Sequence, residues 1–146
     1  MNVYDASRMA DVLRGDGYVS SNDVNVADIV ILNTCHIREK AAEKVYSDIG
    51  RIVKNRKIED RQILAVGGCV GQAQGEEIIR RAPDVNIVFG PQTYHQLPEM
   101  ISAVKKNRST VVDTEFPLNS KFDSLPKRNQ ENVFTAFLSI QEGCDK

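Results

Sequence analysis

The chain has 146 residues, enough for one domain with a core of its own, and its 41% hydrophobic and 27% charged content is that of a soluble globular protein. No apolar run is long enough to cross a bilayer and the N-terminus lacks a signal-peptide pattern, so a cytoplasmic location is expected. Nineteen basic against 20 acidic residues leave a net charge of −1, without the whole-domain basic footprint of a nucleic-acid binder, and an odd set of three cysteines argues against a disulfide framework.

Met9, Val12 and Leu13 share one helical face and the pattern stops at Gly15 and Gly17, so the chain opens inside a helix. Ile29, Val30, Ile31 and Leu32 form a β-branched-rich run ending at Asn33-Thr34-Cys35, which suits a strand buried on both faces and implies a parallel sheet. Ala42, Val45, Tyr46, Ile49, Ile52 and Val53 then recur at helical steps, while Glu39, Lys40, Glu43, Lys44 and Arg51 turn elsewhere. Ile63-Leu64-Ala65-Val66 repeats the buried-strand signature and ends at Gly67-Gly68-Cys69. Residues 76–81 read as a short helix stopped before Pro83.

A third strand is expected over residues 86–89, ending at Gly90-Pro91. Leu97, Met100, Ile101 and Val104 mark a last amphipathic helix, and residues 110–112 a short edge strand. This alternation predicts a three-layer α/β/α sandwich on a mainly parallel sheet. Residues 113–132 are polar, with Pro117 and Pro126 and with Lys121, Lys127 and Arg128 scattered among them, which is linker composition. In residues 133–140 Phe134, Ala136, Leu138 and Ile140 alternate, as in a strand that begins a further domain.

Cys35 and Cys69 each follow the carboxyl end of an expected parallel strand, and the loops at that edge form the ligand crevice of such sheets. One strand-helix-strand passage separates them and returns the chain to the same edge. Gly67, Gly68 and Gly71 allow the tight turns and close backbone approach that a bulky inorganic cluster needs. Thiolates ligate iron-sulfur clusters and structural zinc alike. On spacing alone two inert buried thiols are the commoner reading and a cluster the minority one. His36 and His95 read as residues at helix starts or in loops rather than ligands, and residues 38–44 as a solvated helix face with Glu-Lys pairs.

The string Asn33-Thr34-Cys35-His36-Ile37-Arg38-Glu39-Lys40-Ala41, followed by Glu43-Lys44-Val45-Tyr46-Ser47, resembles the N-terminal domain of the methylthiotransferase family of radical-SAM enzymes. Its tRNA branch, which makes 2-methylthio-isopentenyladenosine, is the nearest in wording. The opening Met1-Asn2-Val3-Tyr4-Asp5, the Gly67-Gly68-Cys69 turn and the closing Ile140-Gln141-Glu142-Gly143-Cys144 resemble the family in the same order.

The resemblance implies that Cys35 and Cys69 are two of three thiolate ligands of an auxiliary 4Fe-4S cluster. The third belongs to a first strand that would precede Met1. Cys144 resembles the first cysteine of the radical-SAM C-x-x-x-C-x-x-C motif, whose other cysteines would follow Lys146. On this reading residues 1–112 are the auxiliary-cluster domain without its first strand, 113–132 a linker and 133–146 the start of the radical-SAM domain. The fragment is then expected to hold no intact cluster and to be inactive alone.

For the full enzyme the resemblance implies two 4Fe-4S clusters and S-adenosylmethionine, a tRNA substrate, an electron-donor protein and no membrane. The adenosine modified lies immediately 3′ of the anticodon, the auxiliary cluster supplies sulfur, and a second S-adenosylmethionine supplies the methyl group. No catalytic residue is assigned within this chain. Branches acting on a ribosomal-protein aspartate or on threonylcarbamoyl-adenosine are set apart by His36-Ile37-Arg38-Glu39-Lys40. Outside the family stand a metal-free flavodoxin-like binding module, for which no G-x-G-x-x-G loop follows any strand, and a redox dithiol formed by Cys35 and Cys69. Oligomeric state is open, and an unpaired sheet edge would invite association.

Overall fold

Helix α1 (Asn2–Gly15) opens the structure, a computed structural model that describes residues 2–35, 39–55, 62–116 and 121–126. Met9, Val12 and Leu13 are buried along it, as their spacing requires. The helix closes where Gly17 takes φ 84°, with the Tyr18 N–H donating to the Leu13 carbonyl at 3.2 Å and the Gly17 N–H to the Arg14 carbonyl at 3.0 Å. Those two bonds satisfy carbonyls that the helix end would otherwise leave open, in a conformation that glycine adopts without strain.

Strands β1 (Ile29–Asn33), β2 (Ile63–Gly67), β3 (Ile87–Phe89) and β4 (Val111–Asp113) pair in parallel in the order β1-β2-β3-β4. The apolar run of β2 is explained by its place inside the sheet, where Leu64, Ala65 and Val66 are fully buried. Side-chain alternation then divides the core in two. Ile63, Ala65, Ile87 and Phe89 meet Met9 and Leu13 of α1 and Leu97, Met100, Ile101 and Val104 of α4 (Leu97–Asn107). Leu64, Val66 and Val88 meet Val45 and Ile49 of α2 (Glu39–Asn55) and Val70 and Ile78 of α3 (Cys69–Arg81). The three-layer α/β/α arrangement is therefore the expected one. Each large aliphatic side chain removed from water contributes about 1.5–3 kcal/mol.

Helices α2 and α3 carry the chain from β1 to β2 to β3 over one face, whereas α4 carries it from β3 to β4 over the other. The strand order advances in one direction throughout, so the last crossover has the opposite hand to the first two. Parallel crossovers usually keep one hand. Here α4 instead shares its apolar face with α1.

β1, expected to be buried on both faces, is half-buried along its length because it has a described pairing partner on one side alone, and two stretches depart further from the sequence reading. Helix α3 begins at Cys69 rather than at residue 76 and is interrupted at Gly75, where φ is 24° and ψ is −106°. Its glycines lower local helix propensity, but Val70 is fully buried beneath the sheet and tertiary packing overrides that preference. The second departure follows β4. Lys121 of the single helical turn α5 (Lys121–Ser124) is only 2% exposed, donates from Nζ to the Pro91 carbonyl at 2.9 Å and lies 4.8 Å from the centre of the Tyr94 ring. Arg8, paired with Asp11 at 2.8 Å, also donates to the Pro126 carbonyl, and Leu125 packs on the α1–α4 layer. Residues 121–126, within a stretch of linker composition, are thus docked on the sandwich. Polar composition does not report this, because lysine buries its alkyl stem once its ammonium group finds an acceptor. Residues 133–140 and Cys144 lie outside the described residues.

Three substitutions test this packing by urea denaturation. A β-carbon on Gly71 would come within 2.4 Å of the Phe89 carbonyl oxygen, so Gly71→Ala is expected to destabilise by about 1–3 kcal/mol. Gly50, exposed in α2 with nothing near its missing β-carbon, is the opposite case, and Gly50→Ala is expected to stabilise by about 0.4–1 kcal/mol. Lys121→Met keeps the stem but removes the donor to Pro91, at an expected cost of about 1.5–3 kcal/mol, the range for a hydrogen bond involving a charged group. A Lys121→Met protein as stable as the parent would show that the ammonium contact contributes nothing.

Candidate functional site

Parallel pairing delivers the carboxyl ends of adjacent strands to one edge, and the register of β1 on β2 sets how closely they arrive. Ile29 stands opposite Ile63 and Asn33 opposite Gly67, so both strands run out at the same level. The next residues continue the pairing. Thr34 N–H donates to the Gly67 carbonyl at 3.1 Å, and Val70 N–H donates to the Thr34 carbonyl at 3.2 Å. Cys35 directly follows Thr34, and Cys69 directly precedes Val70. The two predicted site cysteines therefore occupy neighbouring turns at one edge of the sheet, each half-buried and neither in a disulfide.

Gly68 makes that closeness possible. It adopts φ 84°, and a β-carbon there would fall 2.5 Å from Asn33 Oδ1 and 2.8 Å from the Thr34 carbonyl oxygen. Any side chain at this position would therefore be strained in its backbone and would force the β1 and β2 turns apart. Gly67 is packed just as tightly under the Phe89 ring, whose Cζ would lie 2.2 Å from an added β-carbon. Both glycines of the turn are fixed by contact with neighbouring strands.

Around this edge the chain supplies mainly backbone and amide groups. Gly90 N–H donates to the Asp113 carbonyl at 2.9 Å, and Thr93 Oγ1 donates to the same carbonyl at 3.0 Å, joining the β3 and β4 exits. On the α2–α3 side the Tyr46 hydroxyl donates to Gln74 Oε1 at 2.9 Å, and the Arg81 guanidinium stacks 3.8 Å from the Tyr46 ring centre. His95 lies in a 3-10 turn (Tyr94–Gln96), consistent with a helix-start residue. A groove of about 790 Å³ runs along the outer edge of β1, between Met9 and Leu13 of α1 and Ile29 and Ile31. Its lining is largely apolar and contains neither cysteine.

Cysteines on two neighbouring half-buried turns offer the donor type of an iron-sulfur cluster or of zinc. Among the described residues no group of three or more His, Cys, Asp or Glu side chains converges to hold a metal. The kind of donor and the neighbouring turns fit such a group. His36 and Cys144 are outside the described residues. Sequence reasoning located both cysteine turns but missed Asn33 and Phe89 as the walls against which Gly67 and Gly68 close. The only local signal was the density of glycine.

Comparison with known proteins places this geometry in context. The family described as "Uncharacterized protein family UPF0004" matches residues 1–90, which contain both cysteine turns and strands β1 to β3. Over 146 residues the chain is 56% identical to a tRNA-2-methylthio-N(6)-dimethylallyladenosine synthase of Sphingopyxis alaskensis, a match covering 100% of this chain and 32% of that protein. Over 154 aligned residues it is 51% identical to a protein of the same name from Agrobacterium fabrum, covering 100% of this chain and 34% of the relative. The chain therefore spans about a third of the length of these curated relatives. With more than half of its residues matched, the chain belongs to the UPF0004 family.

Proposed function

We propose that this chain is the N-terminal part of a cytoplasmic tRNA methylthiotransferase that converts isopentenyl-adenosine beside the anticodon to its 2-methylthio derivative. The observation that carries the reading is the pair of cysteines on neighbouring strand ends, in a chain more than half identical along its whole length to two tRNA-2-methylthio-N(6)-dimethylallyladenosine synthases. Those names favour the isopentenyl-adenosine branch over the branches acting on ribosomal-protein aspartate or threonylcarbamoyl-adenosine. No helix among the described residues is long and apolar enough to cross a membrane.

In this reading Cys35 and Cys69 are thiolate ligands of an auxiliary 4Fe-4S cluster, and Cys144 is the first cysteine of the radical-SAM cluster. Cys35 and Cys69 would hold that cluster at the strand edge, where it would supply sulfur for the methylthio group. The chain's own contribution is positional. Both thiols lose their protons to become ligands, Gly68 holds their turns at one level, and the Thr34 bonds to Gly67 and Val70 keep that spacing when the ligand is absent. Binding of S-adenosylmethionine and most of the tRNA grip fall to the remainder of the enzyme, and electrons come from a separate donor protein. The near-neutral charge of this chain, −1, suits that division of labour.

The test uses the full-length enzyme carrying Cys35→Ser or Cys69→Ser. Each variant is expected to lose the auxiliary cluster's share of iron and acid-labile sulfide, and to lose methylthiolation, while the radical-SAM cluster still cleaves S-adenosylmethionine. Iron and sulfide contents equal to those of the parent would remove the ligand assignment. Stoichiometric zinc with no sulfide in the anaerobically purified parent would favour a structural zinc site instead.

A further inference from the structure

We propose that Gln72 is a positioning residue for the Cys69 turn, clasping the first turn of α3 to the exits of β3 and β4. The inference rests on Cys69 being a ligand as read above. Gln72 stands one helical turn after Cys69, and its N–H donates to the Gly68 carbonyl at 3.0 Å. Its side chain reaches across the sheet edge, where Nε2 donates to the carbonyl of Thr114, the residue that follows β4. At the other corner of the amide, Oε1 is buried beside Gly90, so close that a β-carbon on Gly90 would come within 2.1 Å of it and 3.1 Å of Cδ. Gly90 is itself bonded through its N–H to the Asp113 carbonyl at 2.9 Å. One amide thus spans both strand exits.

The backbone under this clasp has little freedom. Gly71, between Val70 and Gln72, rests directly on β3, where an added β-carbon would lie 2.4 Å from the Phe89 carbonyl oxygen and 3.1 Å from that of Val66. Cys69 therefore sits on a helical turn seated from below by Gly71 and tied from the side by Gln72. Cys35 is held differently, through the ladder bonds of Thr34 to Gly67 and Val70. Glutamine suits the task because it offers a donor for Thr114 and a flat end for the space that Gly90 leaves open. Glutamate keeps the shape and loses the donor, and alanine loses both. The chain beyond Thr114 returns at residues 121–126 to its anchors on Pro91 and Arg8, so the clasp joins the Cys69 turn to the segment that leaves the domain.

The test is site-resolved alkylation of the metal-free 146-residue chain, read peptide by peptide, with Cys35 as internal reference. Gln72→Ala is expected to raise the Cys69 rate relative to Cys35 by up to about tenfold, the gain in a local opening equilibrium when one net hydrogen bond is lost. Gln72→Glu should act in the same direction. Gly90→Ala should reproduce the effect by displacing Oε1, and in the Gln72→Ala background it should add nothing, because the space is already vacant. Where Gly90→Ala alone fails to fold, recovery of folded protein in the double variant gives the same support. An unchanged Cys69-to-Cys35 ratio in Gln72→Ala overturns the proposal, as does a Gly90→Ala effect that persists in full in the double variant. Alkylation reads the thiols in the metal-free chain, so this outcome is independent of whether Cys69→Ser abolishes iron binding.

Discussion

The parallel pairing of β1 with β2, in the register that sets Asn33 against Gly67, is the constraint from which the candidate site follows. It brings two residues that are remote in sequence to one level at the carboxyl edge, and the bonds of Thr34 to Gly67 and Val70 extend the ladder past the strands themselves. A slip of one residue would turn every side chain of β1 to the other face and misalign the two cysteine turns. Burial guards against this. Val30 and Leu32 pack with the α2–α3 layer, and Ile29 and Ile31 with the α1–α4 layer, so the register that satisfies both apolar layers also sets the two cysteine turns at one level.

Steric exclusion holds the edge together as much as hydrogen bonding does. Gly67 lies under the Phe89 ring, Gly68 between Asn33 and Thr34, Gly71 on the Phe89 carbonyl and Gly90 beside Gln72. The first joins β2 to β3, the second joins the turn after β2 to the end of β1, and the last two both join α3 to β3 and its exit, so that together they bring β1, β2, β3 and the first turn of α3 to within a missing β-carbon of one another. Under the proposed function, rigidity at this edge has a use, since ligands that must converge on one metal group bind more tightly when their spacing is set in advance. The docked turn at Lys121 extends the same logic to the chain leaving β4, where an ammonium group bonded to the Pro91 carbonyl anchors a segment that hydrophobic burial alone would not hold.

The crossover through α4 adds a second constraint. By packing on α1 instead of on α3, it gives the four strands found among the described residues apolar cover on both faces. β2 and β3 are sealed as a result, while β1 remains half-buried along its whole length. The cysteine edge thus has a rigid centre at β2 and β3 and a more accessible flank at β1.

The sequence by itself determined the layer architecture, the places of the strands to within a residue, the two cysteines at strand ends and the wording that marks the family. These are local properties, because the period of burial and the chemistry of a turn are written into consecutive residues. Only the tertiary structure decided the strand order, the face on which each helix lies, the start of α3 at Cys69, the burial of Lys121 and the contact of Gln72 with Gly90 and Thr114. A glycine-rich stretch such as residues 67–75 reads locally as a loop, and a lysine reads locally as surface. What overrides both is the neighbour that long-range packing supplies: β3 beneath Gly71, and the Pro91 carbonyl and Tyr94 ring around Lys121. No window of consecutive residues contains those partners.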